Sequence, residues 1–150
     1  MKKLMVAAAI VCAAVAVQAS QFKWGATGIK GPDGESAASG LTATIWAYET
    51  TAGEASAKSF GTATINNGVI AQTMAQSDEL IGGKTYSMYF TMTSGASEFK
   101  SATLAQLLPT NNTAPVKMFT TGTWTTTPEP TSALLLLLGV AGLALKRKQA

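Results

Sequence analysis

The chain has 150 residues, room for one domain with appendages, and a formal net charge of +3. The charge sits at the ends: between Ser20 and Thr127 six cations meet seven anions, a balance of −1, so no basic stripe remains to hold nucleic acid. There is no His and one Cys, Cys12, which excludes Ser-His-Asp and Cys-His catalysis and a His-bearing metal site in the body.

The N-terminus reads as a signal peptide over 1–19. Lys2 and Lys3 supply the positive region, and Leu4 to Val17 is a run of 14 apolar residues. That is short for a transmembrane helix, which needs about 20. Val17 and Ala19 stand where a signal peptidase reads small residues, so cleavage is expected between Ala19 and Ser20. Cys12 leaves with the leader. The mature chain then has no Cys, which suits an exported domain that folds without disulfides.

The body, 20–122, reads as all-β. Phe22 to Trp24 is a short first strand, and Gly31 to Gly34 (GPDG) suits a type I turn. Leu41 to Glu49 is β-branched and aromatic, a strand with bulk on both faces, so its core side stays open. Thr50 to Gly61 reads as a loop. Asn67-Gly68 is a tight hairpin signal between Ala63–Ile65 and Val69–Ala71. Ser77 to Lys84 reads as a turn region. Thr85 to Thr93 alternates with a period of two, the clearest strand in the chain. Glu98 to Pro109 allows helix or strand. Val116 to Thr120 is a last strand, and 123–127 reads as a linker rich in Thr and Pro. These elements predict a small antiparallel β-sandwich or barrel, flanked by an N-terminal signal helix and a C-terminal hydrophobic helix.

Little in the body points to chemistry. Asp33 with Glu35, and Asp78 with Glu79, read as solvated turn residues rather than paired catalytic carboxylates. No cofactor, no metal and no enzymatic activity are expected. Trp24, Trp46, Tyr48, Tyr86, Tyr89 and Trp124 are either core or stacking platforms for sugars. Thr-x-Thr pairs begin at 42, 62, 91 and 121, and their unequal gaps argue against an ordered ice-facing array. Twenty Thr and ten Ser lie between Ser20 and Thr127, which suits exposed strands or sites of glycosylation. Asn111 to Thr113 fits an N-glycosylation sequon by coincidence.

The C-terminus, 128–150, has its own logic. Ala133 to Leu145 is 13 apolar or glycine residues. As a helix they cover about 20 Å, against a hydrocarbon core about 30 Å thick. Lys146, Arg147 and Lys148 follow as a basic stop and predict a cytoplasmic end. Pro128, Glu129 and Pro130 stand ahead of the run, then Thr131 and Ser132.

That order resembles the PEP-CTERM sorting signal of exosortase-bearing Gram-negative bacteria, a tail also known as the ice-binding protein C-terminal domain. The resemblance covers about the last 23 residues. It implies export, a pause in the inner membrane, and cutting near Pro128–Glu129–Pro130 by exosortase, an integral-membrane cysteine transpeptidase. The product then goes to the cell surface or extracellular matrix. The prolines keep the segment extended, because a residue before Pro avoids the helical region. Glu129 is the one charge in the segment and a partner for a cation on the enzyme. The reading that follows is a non-catalytic surface or matrix protein. Its transient partners are signal peptidase and exosortase. The alternative is a polysaccharide-binding, or less plausibly ice-binding, module.

Overall fold

Alternating apolar and polar residues build the strands, and the turns fall on glycine and asparagine. A computed structural model of the chain describes residues 19–111 and 113–126. The strands are β1 (Ala19–Ala26), β2 (Thr42–Glu49), β3 (Lys58–Thr64), β4 (Ile70–Ile81) and β5 (Thr85–Ser94). Then come β6 (Ser97–Ser101), β7 (Leu104–Leu107), β8 (Val116–Phe119) and β9 (Gly122–Thr126). A 3-10 turn spans Glu54–Ser56. One sheet has the order β4-β1-β8; the other runs β3-β2-β5-β6-β9, with β7 also beside β5.

The two sheets pack as a sandwich. Phe90 of β5 is the joint between them: its ring lies 6.0 Å from Trp24 of β1 and 5.4 Å from Phe119 of β8. Phe99 of β6 stacks on it at 5.3 Å. All four are buried with Phe22, Ile45 and Met88. The core side of β2 is settled by size. Ala43, Ile45 and Ala47 turn inward under the large rings, and Thr44, Trp46 and Tyr48 face out, half-buried. The all-β sandwich matches the reading from sequence. The expected signal helix and C-terminal apolar helix fall outside the described residues. Among the described residues no helix is long and apolar enough to cross a membrane.

The sheets are not wholly antiparallel. β1 and β8 pair in parallel, Lys23 with Val116 through Ala26 with Phe119. The chain arrives at β8 from β7, which belongs to the other sheet. Such a crossover frees the incoming strand from the antiparallel direction that a hairpin imposes.

The ambiguous stretch from Glu98 to Pro109 forms two strands on one side of β5. β6 pairs with Thr91 to Ser94, and β7 with Thr85 to Met88. Buried Ser101 stitches the break: its hydroxyl accepts from Phe90 N at 2.9 Å and donates to Ala102 O at 3.0 Å.

The Asn67-Gly68 turn forms with both residues at positive φ, 50 and 73 degrees, closed by the Asn66–Val69 bridge. Its flanking strands then part. β3 pairs with β2, and β4 crosses to β1 in the other sheet. The tight turn is thus a corner of the sandwich, held by Gly68 N donating to Ala38 O at 2.7 Å and Ile29 N donating to Gly68 O at 3.1 Å. A Cβ at Gly68 would stand 2.8 Å from Ile29 O. Gly68→Ala is therefore expected to cost more than about 1 kcal/mol, read as a lower melting temperature. An unchanged melt would contradict the corner's dependence on glycine.

Three segments differ from expectation. The loop expected over 50–61 stops early, because β3 begins at Lys58. Ser77 to Ile81 belongs to β4, and the turn is confined to Gly82-Gly83. Partners step from Ser77–Ser20 to Ile81–Ala19, so Asp78, Glu79 and Leu80 form a bulge, with Leu80 fully buried. The polar look of that stretch reflects the bulge. Lastly, the expected linker over 123–127 is β9 as far as Thr126, paired residue by residue with β6.

Candidate functional site

Two places gather the residues singled out above: the C-terminal end of the fold and the outer face of the larger sheet. At the first, β9 lies along the edge of the sheet and ends at Thr126, opposite Ser97. Gly122 is where it can come close. A Cβ there would meet the Phe99 ring and stand 2.6 Å from Lys100 O. Trp124 seals the strand: its ring meets that of Phe99 edge-on at 5.4 Å, and its indole N–H donates to Lys30 O at 2.9 Å. A recess of about 300 Å³ lies beside it, lined by Gly28, Lys30, Phe99, Gly122 and Trp124 among others. That is the lower end of the range for small-molecule pockets, about 300–1,000 Å³.

Pro128, Glu129 and Pro130 follow within four residues of Thr126, and with Lys146, Arg147 and Lys148 they lie outside the described residues. Ala19 and Ser20 are the first residues of β1, and Ser20 is buried. A cut between them leaves the rest of that strand whole.

The second place was hidden in the sequence. Thr62 of β3 pairs with Thr44 of β2, and Thr44 pairs with Thr91 of β5. The row continues through Lys100 of β6 to Thr123 of β9. A second row pairs Thr64 with Thr42, then Thr93 with Glu98 and Thr125. Three Thr-x-Thr pairs with unequal gaps in sequence are therefore stacked side by side. Strand register aligns them, and no repeat in the sequence announces it. Of the fourth pair, Thr123 joins the row and Thr121 stays in the turn before β9.

Next to the threonines lies an aromatic patch on the same face. The Trp46 indole N–H donates to Thr91 Oγ1 at 2.9 Å, which pins the ring across the sheet. Tyr48 meets Tyr89 edge-on at 6.5 Å. The Lys100 ammonium sits 4.4 Å above the Tyr89 ring and is paired with Glu54 of the 3-10 turn. Of the other aromatics considered as platforms, Trp24 and Tyr86 are core, and Trp124 is packed against the core.

Three groups here, Lys84, Tyr89 and Lys100, titrate above their ordinary values. The hydrogen bond to Glu54 holds the Lys100 ammonium above its ordinary value, and burial pushes the Tyr89 phenol up. The hydrogen bond to Glu49 likewise raises Lys84, at a distance of 2.6 Å. Each raised group contributes stability that is full below its unfolded value and is lost as pH rises through its folded value. A melting temperature that falls between about pH 9 and pH 12 is expected, and Lys100→Met should flatten that fall. A flat alkaline limb would contradict it.

A family model matches one part of the chain, the PEP-CTERM protein-sorting motif, at residues 126–148. No curated protein and no solved structure matches the chain. The matched segment starts on Thr126, the last residue of β9, and includes Pro128, Glu129 and Pro130 along with the basic Lys146, Arg147 and Lys148. The chain carries the PEP-CTERM protein-sorting motif, and with it the mark of an exported protein processed by an exosortase.

Proposed function

We propose that the chain is a non-catalytic protein of the cell surface or extracellular matrix, with the β-sandwich as the delivered part. Signal peptidase cuts between Ala19 and Ser20. The apolar segment 133–145 and the basic stop hold the C-terminus briefly in the inner membrane. Exosortase then cuts near Pro128–Glu129–Pro130. The observation that carries this reading is the abutment of fold and motif. β9 closes the sandwich at Thr126, and the sorting motif starts on that same residue. Removing the tail therefore leaves every described strand whole, and the prolines disfavour helix in the residues that precede them, which suits engagement by a protease. The lack of His in the chain, and of Cys after Cys12, supports a non-enzymatic role.

Mass spectrometry of protein released from the cell surface tests the route. A chain starting at Ser20 and ending near Pro128–Pro130 is the expected product. A released chain that still ends at Ala150 would overturn the sorting reading.

A further inference from the structure

The outer face of the larger sheet places hydroxyls on a grid. Thr62, Thr44 and Thr91 form one row; Thr64 pairs with Thr42 beside it, and Thr93 follows Thr91 by two residues on the same face of β5. Neighbouring strands lie about 4.8 Å apart, and same-face residues along a strand about 6.7 Å apart. Each hydroxyl can donate and accept. Their β-branched stems are stiff at χ1, so little side-chain freedom is lost when a ligand orders them.

We infer that this face binds an uncharged, extended polysaccharide laid across the strands. Three observations select that ligand. The strand spacing is close to the length of one sugar ring in an extended glycan, so each strand along the Thr62–Thr44–Thr91 row addresses one sugar. The half-buried rings of Trp46 and Tyr48 adjoin the row on the same face and offer apolar surface to the C–H side of a sugar. The charge also fits. The six threonines carry none, Lys100 is neutralised by Glu54, and exposed Glu98 would repel an acidic polymer. The inference concerns what the exported domain holds, not its delivery. Loss of binding leaves the sorting route intact, and a chain that is never cut at its tail can still bind.

The test uses the full chain in mild detergent. Retention is measured on cellulose, chitin and mannan, with alginate as the acidic comparator and an ice-growth assay alongside. Retention on at least one neutral polymer is expected, unchanged by added salt. T44V/T62V should lower it about tenfold or more, equivalent to about 1.4 kcal/mol, and T73V, on β4 of the other sheet, should leave it unchanged. If the double variant melts early, the exposed T64V takes its place with a smaller loss in the same direction. No retention on any neutral polymer would overturn the inference. So would retention by alginate alone with release by salt, inhibition of ice growth without glycan binding, or T44V/T62V binding as the parent does.

Discussion

Phe90→Ala is expected to cost about 3–5 kcal/mol, out of a total of about 5–15 kcal/mol for a domain of this kind. Phe90 is fully buried, and its ring touches those of Trp24, Phe99 and Phe119. Those neighbours come from both sheets, so the cavity left by alanine opens at the joint between them. Neither sheet can close it alone, because each is fixed by its own backbone pairing. A melting temperature lower by at least about 12 °C is expected, at about 4–8 °C per kcal/mol. Phe90→Leu should recover a large part of the loss by filling the space. A fall of only a few degrees for the alanine variant would mean that the sheets are held together elsewhere.

Replacing Pro128, Glu129 and Pro130 together by alanine is expected to stop processing, leaving precursor that still ends at Ala150. Without the prolines the bias against helix in this segment is lost, and with it the extended backbone that a protease engages. Glu129→Ala alone tests a separate idea, that the carboxylate pairs with a cation on the exosortase. One hydrogen bond to a charged group is worth about 1.5–3 kcal/mol, so the single variant should be processed about tenfold more slowly or worse. Intact mass of membrane-bound and released protein reads both outcomes. Normal release from the triple variant would contradict the role given to the tripeptide. Normal processing of Glu129→Ala would remove the charge pair and leave the role of the prolines standing.

The strands that could be read from sequence are those in which each residue type points one way. In Thr85 to Thr93, Tyr86, Met88, Phe90 and Met92 alternate with smaller or polar residues, and that pattern has no helical interpretation. β9 could not be read because it is short, contains one apolar residue, Trp124, and precedes Pro128. Its place comes from pairing with β6 and from the contacts of Trp124 with Phe99 and Lys30. The parallel pairing of β1 with β8 depends on a crossover that no local pattern encodes. The threonine grid was illegible for a related reason. Each Thr-x-Thr pair shows only that two residues share a face. Which pairs become neighbours is decided by register, and the bulge in β3 opposite Thr44 and Trp46 shifts that register further along. The sorting end was the most legible part because it is linear. Its parts are read in order along the chain, and no folding is needed to bring them together.

The place of β9 has a mechanical consequence. A pull on the C-terminal tail reaches the described sandwich at Thr126, on a strand paired, among the described residues, with β6 alone. Tension directed along β9 loads its whole five-residue ladder at once. Tension directed away from the sheet loads the pairs one after another, starting with Thr126 and Ser97. Trp124 lies midway along that path, clasped by Phe99 and by the carbonyl of Lys30, and acts as a catch that halts peeling two residues in. The domain should therefore tolerate drag in the plane of the larger sheet better than lift away from it for as long as its tail is held.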